Sequence, residues 1–98
     1  MLFRVFHNNV PNFMDPEPAE MDLLRQMFPY GFMEVATVET QDVGAVFQLT
    51  NHIDRNWTEN PEVKSFATDH VRSTSVGDVI VDASGDRYLV KSIGLEKF

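Results

Sequence analysis

The spacing of hydrophobic residues predicts two strands in the N-terminal half of the chain. Residues 2–7 form a short, nearly continuous apolar run, which suits a strand lying inside a sheet. Asparagine and proline within residues 8–12 end this run, because both favour turns over sheet ladders. Residues 32–40 are the second strand candidate, and Val35 and Val38 mark this stretch as β-rich.

A short helix is predicted between these strands, with an ordered loop as the alternative. Asp15-Pro16-Glu17-Pro18 suits a helix start, since aspartate can cap the free amides and proline is tolerated in the first turn. Met21, Leu24 and Phe28 then follow at i, i+3 and i+7, which places them on one face. Proline and glycine within residues 29–31 end the helix.

The clearest helical pattern begins at Gln41-Asp42. Its apolar face consists of Val43, Val46, Phe47, Leu49, Thr50 and Ile53. The polar stretch that follows, residues 54–68, is interpreted as a long ordered connection with one helical turn. Its apolar anchors are Trp57, Val63 and Phe66. Long loops of this kind in small domains are often functional.

The last third of the chain predicts a β-hairpin with Ser84-Gly85 as a two-residue turn. The implied pairs are Asp78 with Lys91, Val79 with Val90, Ile80 with Leu89, Val81 with Tyr88 and Asp82 with Arg87. Alternate pairs share a face. One face is then wholly apolar, and the other carries opposite charges around Ile80 and Leu89. This register therefore predicts a hairpin with one buried face.

These elements predict a single α+β domain over residues 1–98. Its sheet is small, mainly antiparallel and of about four strands, with two helices on one face and a C-terminal β-hairpin. The predicted core consists of Phe3, Val5, Leu24, Phe28, Val35, Val38, Val46, Phe47, Val79, Val81, Tyr88 and Val90.

Charge narrows the choice of partners. Eight Lys and Arg against 15 Asp and Glu give a net charge of −7, which repels nucleic-acid phosphates and anionic lipid. We therefore expect no direct nucleic-acid or membrane binding, whereas a basic protein partner would suit this charge. No apolar run approaches the roughly 18 residues of a spanning helix, and the N-terminal apolar run is too short for a signal peptide. The simplest expectation is a cytoplasmic protein.

The residue types that carry catalysis and metal binding are sparse. The chain has no cysteine, which removes disulfides, thiol catalysis and thiolate metal sites. His7, His52 and His70 lie far apart and lack the spacings of zinc motifs. No nucleophile elbow is present. We therefore expect a non-enzymatic protein without a metal or cofactor.

One cassette resembles a known family. Arg72-Ser73, Ser75-Val76-Gly77-Asp78-Val79-Ile80, Tyr88, Val90 and a closing Gly94 resemble the C-terminal part of the YodL-like domains, over about 30 residues. Those domains are small α+β modules of poorly understood function, found largely in proteins of plasmids, phages and other mobile elements. The resemblance implies a mobile-element accessory protein and transfers no catalytic residue.

The same cassette offers a candidate anion site. Arg72 with the hydroxyls of Ser73, Thr74 and Ser75 would suit a phosphate group. The alternative, which we rank first, is that the hydroxyls satisfy turn amides while Arg72 pairs with a carboxylate. Asp78 likewise either caps or pairs.

Two further features have both a structural and a functional interpretation. Trp57 is either an interface anchor in a polar loop or a lid over a small core, and the lid ranks slightly higher. Asp15, Glu17, Glu20 and Asp22 either favour the positive end of a helix dipole or imitate the phosphates of nucleic acid. The remaining acidic residues are interleaved with basic ones, which argues against such a mimic.

The leading hypothesis is a small acidic interaction module that binds another protein. Its predicted contacts lie in the 54–68 loop and the turn after it, namely Trp57, Asn60, Arg72, Ser73, Ser75 and Asp78. One alternative is a nucleotide or small-ligand protein using Arg72, with Trp57 stacking on the ligand. Another is an acidic DNA mimic. An exposed edge strand would also allow a homodimer.

Overall fold

The computed structural model describes residues 1–9, 17–51, 56–67 and 71–98. Its elements, in chain order, are β1 (Leu2–Asn8), α1 (Pro18–Met27), β2 (Phe32–Glu39), α2 (Val43–Thr50), a 3-10 turn (Trp57–Glu59), β3 (Val63–Phe66), β4 (Val79–Val81), β5 (Arg87–Val90) and β6 (Leu95–Lys97). The α+β class is confirmed. Parts of the predicted helices, Asp15, Pro16 and Ile53, lie outside the described residues.

All six strands form one antiparallel sheet in the order β3-β2-β1-β4-β5-β6. The first strand of the chain lies inside the sheet, between β2 and β4, as its continuous apolar run predicts. The two outermost strands are β3 and β6.

The expectation of about four strands is an undercount, because β3 and β6 were not predicted. β3 lies in the segment interpreted as a loop; it has four residues, and a register shift interrupts its pairing with β2. β6 has three residues and none of them is β-branched. Neither strand is long enough to show a repeated alternation of polar and apolar positions.

The two helices pack on opposite faces of the sheet, so the expectation of two helices on one face is wrong. Successive side chains of a strand point to opposite faces. On β1, Val5 belongs to the hydrophobic cluster that contains Val46 of α2, whereas Phe6 belongs to the cluster that contains Met21 of α1. We refer to these two sides of the sheet as the α2 face and the α1 face.

Each face has its own core. The buried residues on the α2 face are Phe3, Val5, Val35, Ala36, Val38, Val46, Trp57, Val63, Ile80 and Val90. Those on the α1 face are Phe6, Met21, Val79, Val81 and Leu89. Most of the predicted core is buried; Leu24, Phe28, Phe47 and Tyr88 are half-buried. The unpredicted core residues include Ile80 and Leu89, which were expected on an outer face and are fully buried.

The β4–β5 hairpin forms, but the predicted register is wrong by one residue. Val79 pairs with Leu89, Ile80 with Tyr88 and Val81 with Arg87. The loop has three residues rather than two: the Asp82 amide donates to the Asp86 carbonyl at 2.9 Å, and Gly85 has a positive φ of 89°. The Asp82 side chain accepts the Ser84 and Asp86 amides, both at 2.9 Å. It stabilises this turn instead of pairing across the strands.

The loop geometry predicts a graded effect of substitution at Gly85. A Cβ atom at this position would meet nothing within 4 Å, so only its φ of 89° opposes a side chain. Gly85→Ala should lower the free energy of unfolding by about 1–2 kcal/mol, and Gly85→Asn should cost clearly less because asparagine tolerates this conformation. Urea unfolding of the native protein and the two variants measures the order of their stabilities. Equal losses for both variants would contradict this account.

Candidate functional site

The carboxylate of Asp78 is the centre of a buried polar cluster made by His7, Asn8, Arg72, Thr74, Ser75 and Asp78. Asp78 lies directly before β4 and is 0% exposed. Arg72 forms a bidentate salt bridge with this carboxylate: Nη1 donates to Oδ2 and Nη2 donates to Oδ1, each at 2.7 Å. Bidentate salt bridges are among the strongest interactions that a carboxylate makes with a side chain.

Two main-chain amides complete the coordination of the Asp78 carboxylate. Asn8, at the end of β1, donates its amide to Oδ1 at 2.8 Å. Ser75 donates its amide to Oδ2, also at 2.8 Å. The buried charge is therefore both paired and hydrogen-bonded, which is the condition for burying a carboxylate at tolerable cost.

The guanidinium of Arg72 is directed inward by further acceptors. Its Nη2 donates to the Asn8 carbonyl at 3.1 Å. Its Nη1 donates to the Ser73 carbonyl at 3.0 Å and to the Ser75 hydroxyl at 3.1 Å. The charge of Arg72 is thus neutralised by Asp78, and both of its terminal nitrogens donate within the protein.

His7 lies beside this ion pair and is only 5% exposed. Its Nε2 shares a hydrogen bond of 2.9 Å with Thr74 Oγ1 and lies 3.8 Å from Asp78 Oδ2. Burial lowers the pKa of His7 from 6.5 to about 4; the Asp78 charge opposes this shift and the Arg72 charge adds to it. The imidazole is therefore neutral at physiological pH.

Trp57 and Asn60 attach the connection after α2 to the core. Trp57 is 1% exposed, and its indole Nε1 donates to the Arg72 carbonyl at 2.9 Å. Asn60 donates its side-chain amide to the Leu49 carbonyl near the end of α2 at 2.8 Å. This geometry matches the lid interpretation of Trp57 and leaves no stacking surface on its ring.

The six residues proposed as contacts from the sequence therefore all lie in or beside structural networks. Of Trp57, Asn60, Arg72, Ser73, Ser75 and Asp78, four meet directly at the Arg72–Asp78 ion pair, while Trp57 touches it through the Arg72 carbonyl. These contacts match the interpretation in which Arg72 pairs with a carboxylate. The Ser75 amide, however, is bound by the Asp78 carboxylate rather than by a hydroxyl.

Sequence reasoning included the Thr74 hydroxyl in the candidate anion site but did not place His7 and Asn8 in this cluster. A signal for His7 exists: with Phe3 and Val5 it occupies alternate positions of β1 and so faces the same core. Asn8 contributes only main-chain groups to Asp78 and Arg72, which residue type does not reveal.

The other candidate groups remain dispersed. Within residues 1–9, 17–51, 56–67 and 71–98, no group of three or more His, Asp or Glu side chains is placed to hold a metal ion. His52, His70 and Asp15 lie outside these ranges. Asp22 pairs with Arg25 at 2.7 Å, so part of the acidic group on α1 is already neutralised. Over the same residues, no helix has the length and apolar character needed to cross a membrane.

Two surface grooves lie on either side of the turn between β5 and β6. One, of about 250 Å³, lies between the turn and α1 and includes Met21, Arg25 and Lys91. The other, of about 340 Å³, is here called the α2–β6 groove; its lining includes Gly44, Phe47, Gln48, Lys91, Gly94 and Leu95. Ile93 in this turn is 91% exposed.

Comparisons with protein-family models, with curated proteins and with solved structures gave no match. The resemblance to YodL-like domains stays a prediction, resting on the residues between Arg72 and Gly94.

Removal of the Arg72 charge should destabilise the fold strongly. Arg72→Met would leave the Asp78 carboxylate buried without its counter-ion, and losing one partner of a buried pair costs about 3–5 kcal/mol. The double variant Arg72→Met/Asp78→Leu should recover part of this loss, but not all, because the Asn8 and Ser75 amides would lose their acceptor. Denaturant unfolding of the three proteins measures both effects. A loss below about 1 kcal/mol for Arg72→Met would contradict the structural role.

Burial of His7 should make the stability depend on pH in a defined window. Between pH 6.5 and about 4 the unfolded chain binds a proton at this position and the folded chain does not. Protonation therefore favours unfolding, and the free energy of unfolding should fall by about 3 kcal/mol as the pH decreases through this window.

His7→Gln provides the control, since glutamine does not titrate. The difference in stability between the native protein and this variant should narrow or reverse from pH 7 to pH 4. Parallel curves of unfolding free energy against pH would exclude this role for His7.

Proposed function

We propose that this chain is a small acidic, non-enzymatic module that binds another protein in the cytoplasm and belongs to the accessory proteins of mobile elements. One observation carries the proposal: the polar groups that could have formed a chemical site are turned inward, whereas several large apolar side chains face outward. The most exposed of these are Tyr30, at 80%, and Ile93, at 91%. Contiguous exposed apolar patches mark protein-binding surfaces. Ile93 follows Ser92, which lines both grooves.

The outer flank of α1 supplies one such group of side chains. Leu23 and Met27 are four positions apart, so they lie on the same side of the helix, and both are exposed. Arg25 lies about 160° around the helix from Leu23, and it bonds Glu96 on β6. The Leu23–Met27 flank therefore points away from β6 and is not buried by the α1 core.

The charge distribution favours a basic partner. Five of the described basic side chains are paired with carboxylates: Arg4, Arg25, Arg72, Lys91 and Lys97. Lys64 bonds a main-chain carbonyl, and Arg87 lies 4.6 Å from the Phe98 ring centroid. With a net charge of −7, the excess at the surface is negative.

The two alternatives have less support. A phosphate ligand would have to displace Asp78 from Arg72, and Trp57 offers no face for stacking because it is buried. A nucleic-acid mimic would need a one-sided array of free carboxylates, whereas Glu34, Asp86 and Glu96 are each paired with a basic residue. The link to mobile elements rests on the resemblance alone.

The proposal predicts one stoichiometric protein complex. The tagged protein should capture a partner from cells that carry its gene, and the two purified proteins should form a complex of fixed composition in light scattering. Affinity should fall as salt is raised, because complementary surface charges are screened. Trp57 and Arg72 are unsuitable as probes, since both stabilise the core.

A nucleotide and sugar-phosphate screen provides the opposing test. We expect no rise in melting temperature with any of these ligands. A saturable rise in melting temperature with one of these ligands, together with no complex between purified proteins, would replace the present proposal with the ligand-binding one.

A further inference from the structure

The outer edge of β6 presents main-chain groups that the sheet leaves unpaired. Hydrogen-bonded pairs alternate along an antiparallel ladder. The Lys91 amide donates to Gly94 and the Phe98 amide to Arg87, so Gly94, Glu96 and Phe98 face β5. The amides and carbonyls of Leu95 and Lys97 consequently point away from the sheet, and no described residue pairs with them.

The opposite edge of the sheet is less suited to a further strand. On β3 the register with β2 shifts between Val63 and Ser65, which leaves Lys64 as an extra residue. A bulge is one device by which natural sheets obstruct pairing at an edge. Among the described strands, β6 is therefore the better edge for strand addition.

The α2–β6 groove runs beside this edge and is apolar in character. Its α2 wall consists of Gly44, Phe47 and Gln48, and α2 contains no charged residue along its length. Lys91 is the one charged side chain in the lining of this groove, as far as the described residues show, and it is bound to Glu96 at 3.0 Å. The groove thus suits an apolar side chain.

We propose that β6 accepts an extended segment of a partner protein as an additional strand, with one apolar side chain of that segment in the α2–β6 groove. This inference rests on the proposed protein-binding function and names its surface. Free main-chain groups beside a side-chain pocket are the two parts of peptide recognition by strand addition: the first gives affinity and the second selectivity.

The chemistry of the segment follows from the groups it would meet. The main-chain groups of Leu95 and Lys97 require an extended backbone, and the groove requires an apolar residue. The net charge of −7 favours basic residues on either side of the apolar position. Ile93, exposed in the adjoining turn, adds an apolar contact at one end.

A second copy of this chain fits the edge less well. Two β6 strands related by a two-fold axis at Glu96 would place the two Glu96 side chains opposite each other, which is unfavourable for like charges. Each copy also carries a charge of −7. The homodimer through a sheet edge is therefore an outcome to be tested rather than the favoured occupant.

The test uses the intact protein and a fluorescent probe peptide in which valine alternates with threonine between pairs of lysines. We expect saturable binding in fluorescence anisotropy. Lys97→Pro removes the outward amide without breaking the ladder to β5 and should weaken binding by about tenfold, the equivalent of one hydrogen bond. Lys97→Ala loses the same contact with Asp86 but keeps the amide, and it should bind within about twofold of the native protein.

The groove has its own matched pair of variants. Gly44→Leu would fill the groove, whereas Gly44→Ala adds one methyl group at the same position and meets the same neighbour, Asp42 Oδ1 at 3.3 Å. We expect about tenfold weaker binding for the leucine variant than for the alanine variant. Melting temperatures of all four variants verify that each is folded.

The outcomes separate this inference from the function on which it rests. Absence of peptide binding, or equal affinities within both variant pairs, would overturn the β6 site. If a captured partner still bound Lys97→Pro and Gly44→Leu normally, protein binding would stand and its surface would lie elsewhere. Sedimentation of the protein alone as a dimer, abolished by Lys97→Pro, would show that a second copy occupies the edge and would overturn the partner-segment proposal.

Discussion

The ion pair between Arg72 and Asp78 joins parts of the chain that secondary structure alone would not bring together. Asp78 accepts the amide of Asn8 at the end of β1 and the amide of Ser75, while Arg72 bonds the Asn8 carbonyl. The turn before β4 is thereby attached to the central strand of the sheet. The indole of Trp57 extends the same network to the 3-10 turn by its bond to the Arg72 carbonyl. A buried charge pair therefore joins the end of β1, the turn before β4 and the 3-10 turn.

The sequence predicted those elements whose apolar spacing is set within a single segment. It failed for the hairpin register, because both faces of the sheet are buried and the spacing no longer distinguishes them. The helices and β1 follow from apolar spacing within each segment. The hairpin register was inferred by assuming one solvent face, but α1 and α2 cover opposite faces. Val79, Ile80 and Leu89 are therefore all fully buried, and alternation no longer selects a register. The register of the hairpin is set instead by its turn, through the positive φ of Gly85 and the hydrogen bonds of the Asp82 side chain.

The polar cluster was predictable in kind but not in detail. A strand-entry turn with an arginine, hydroxyls and an aspartate predicts internal pairing, and the Arg72–Asp78 pair agrees with it. The sequence does not reveal that β1 contributes to this cluster. Asn8 and Asp78 are 70 residues apart, and Asn8 makes the contact through its main-chain amide. The α2–β6 groove was likewise hidden from the sequence, because it is formed by α2 and a strand too short to recognise.

The central position of β1 has a consequence for the order in which the chain can fold. β1 and β2 can pair early, because they are close in the sequence, and β3 can follow. The other neighbour of β1 is β4, which lies far along the sequence, so closing that contact carries a large loop entropy. Until β4 docks, the side of β1 that later pairs with it through Val5 and Phe6 is an open edge, and such an edge is prone to aggregate. We therefore expect the Asn8–Asp78 bond to form late in folding, when β4 docks against β1.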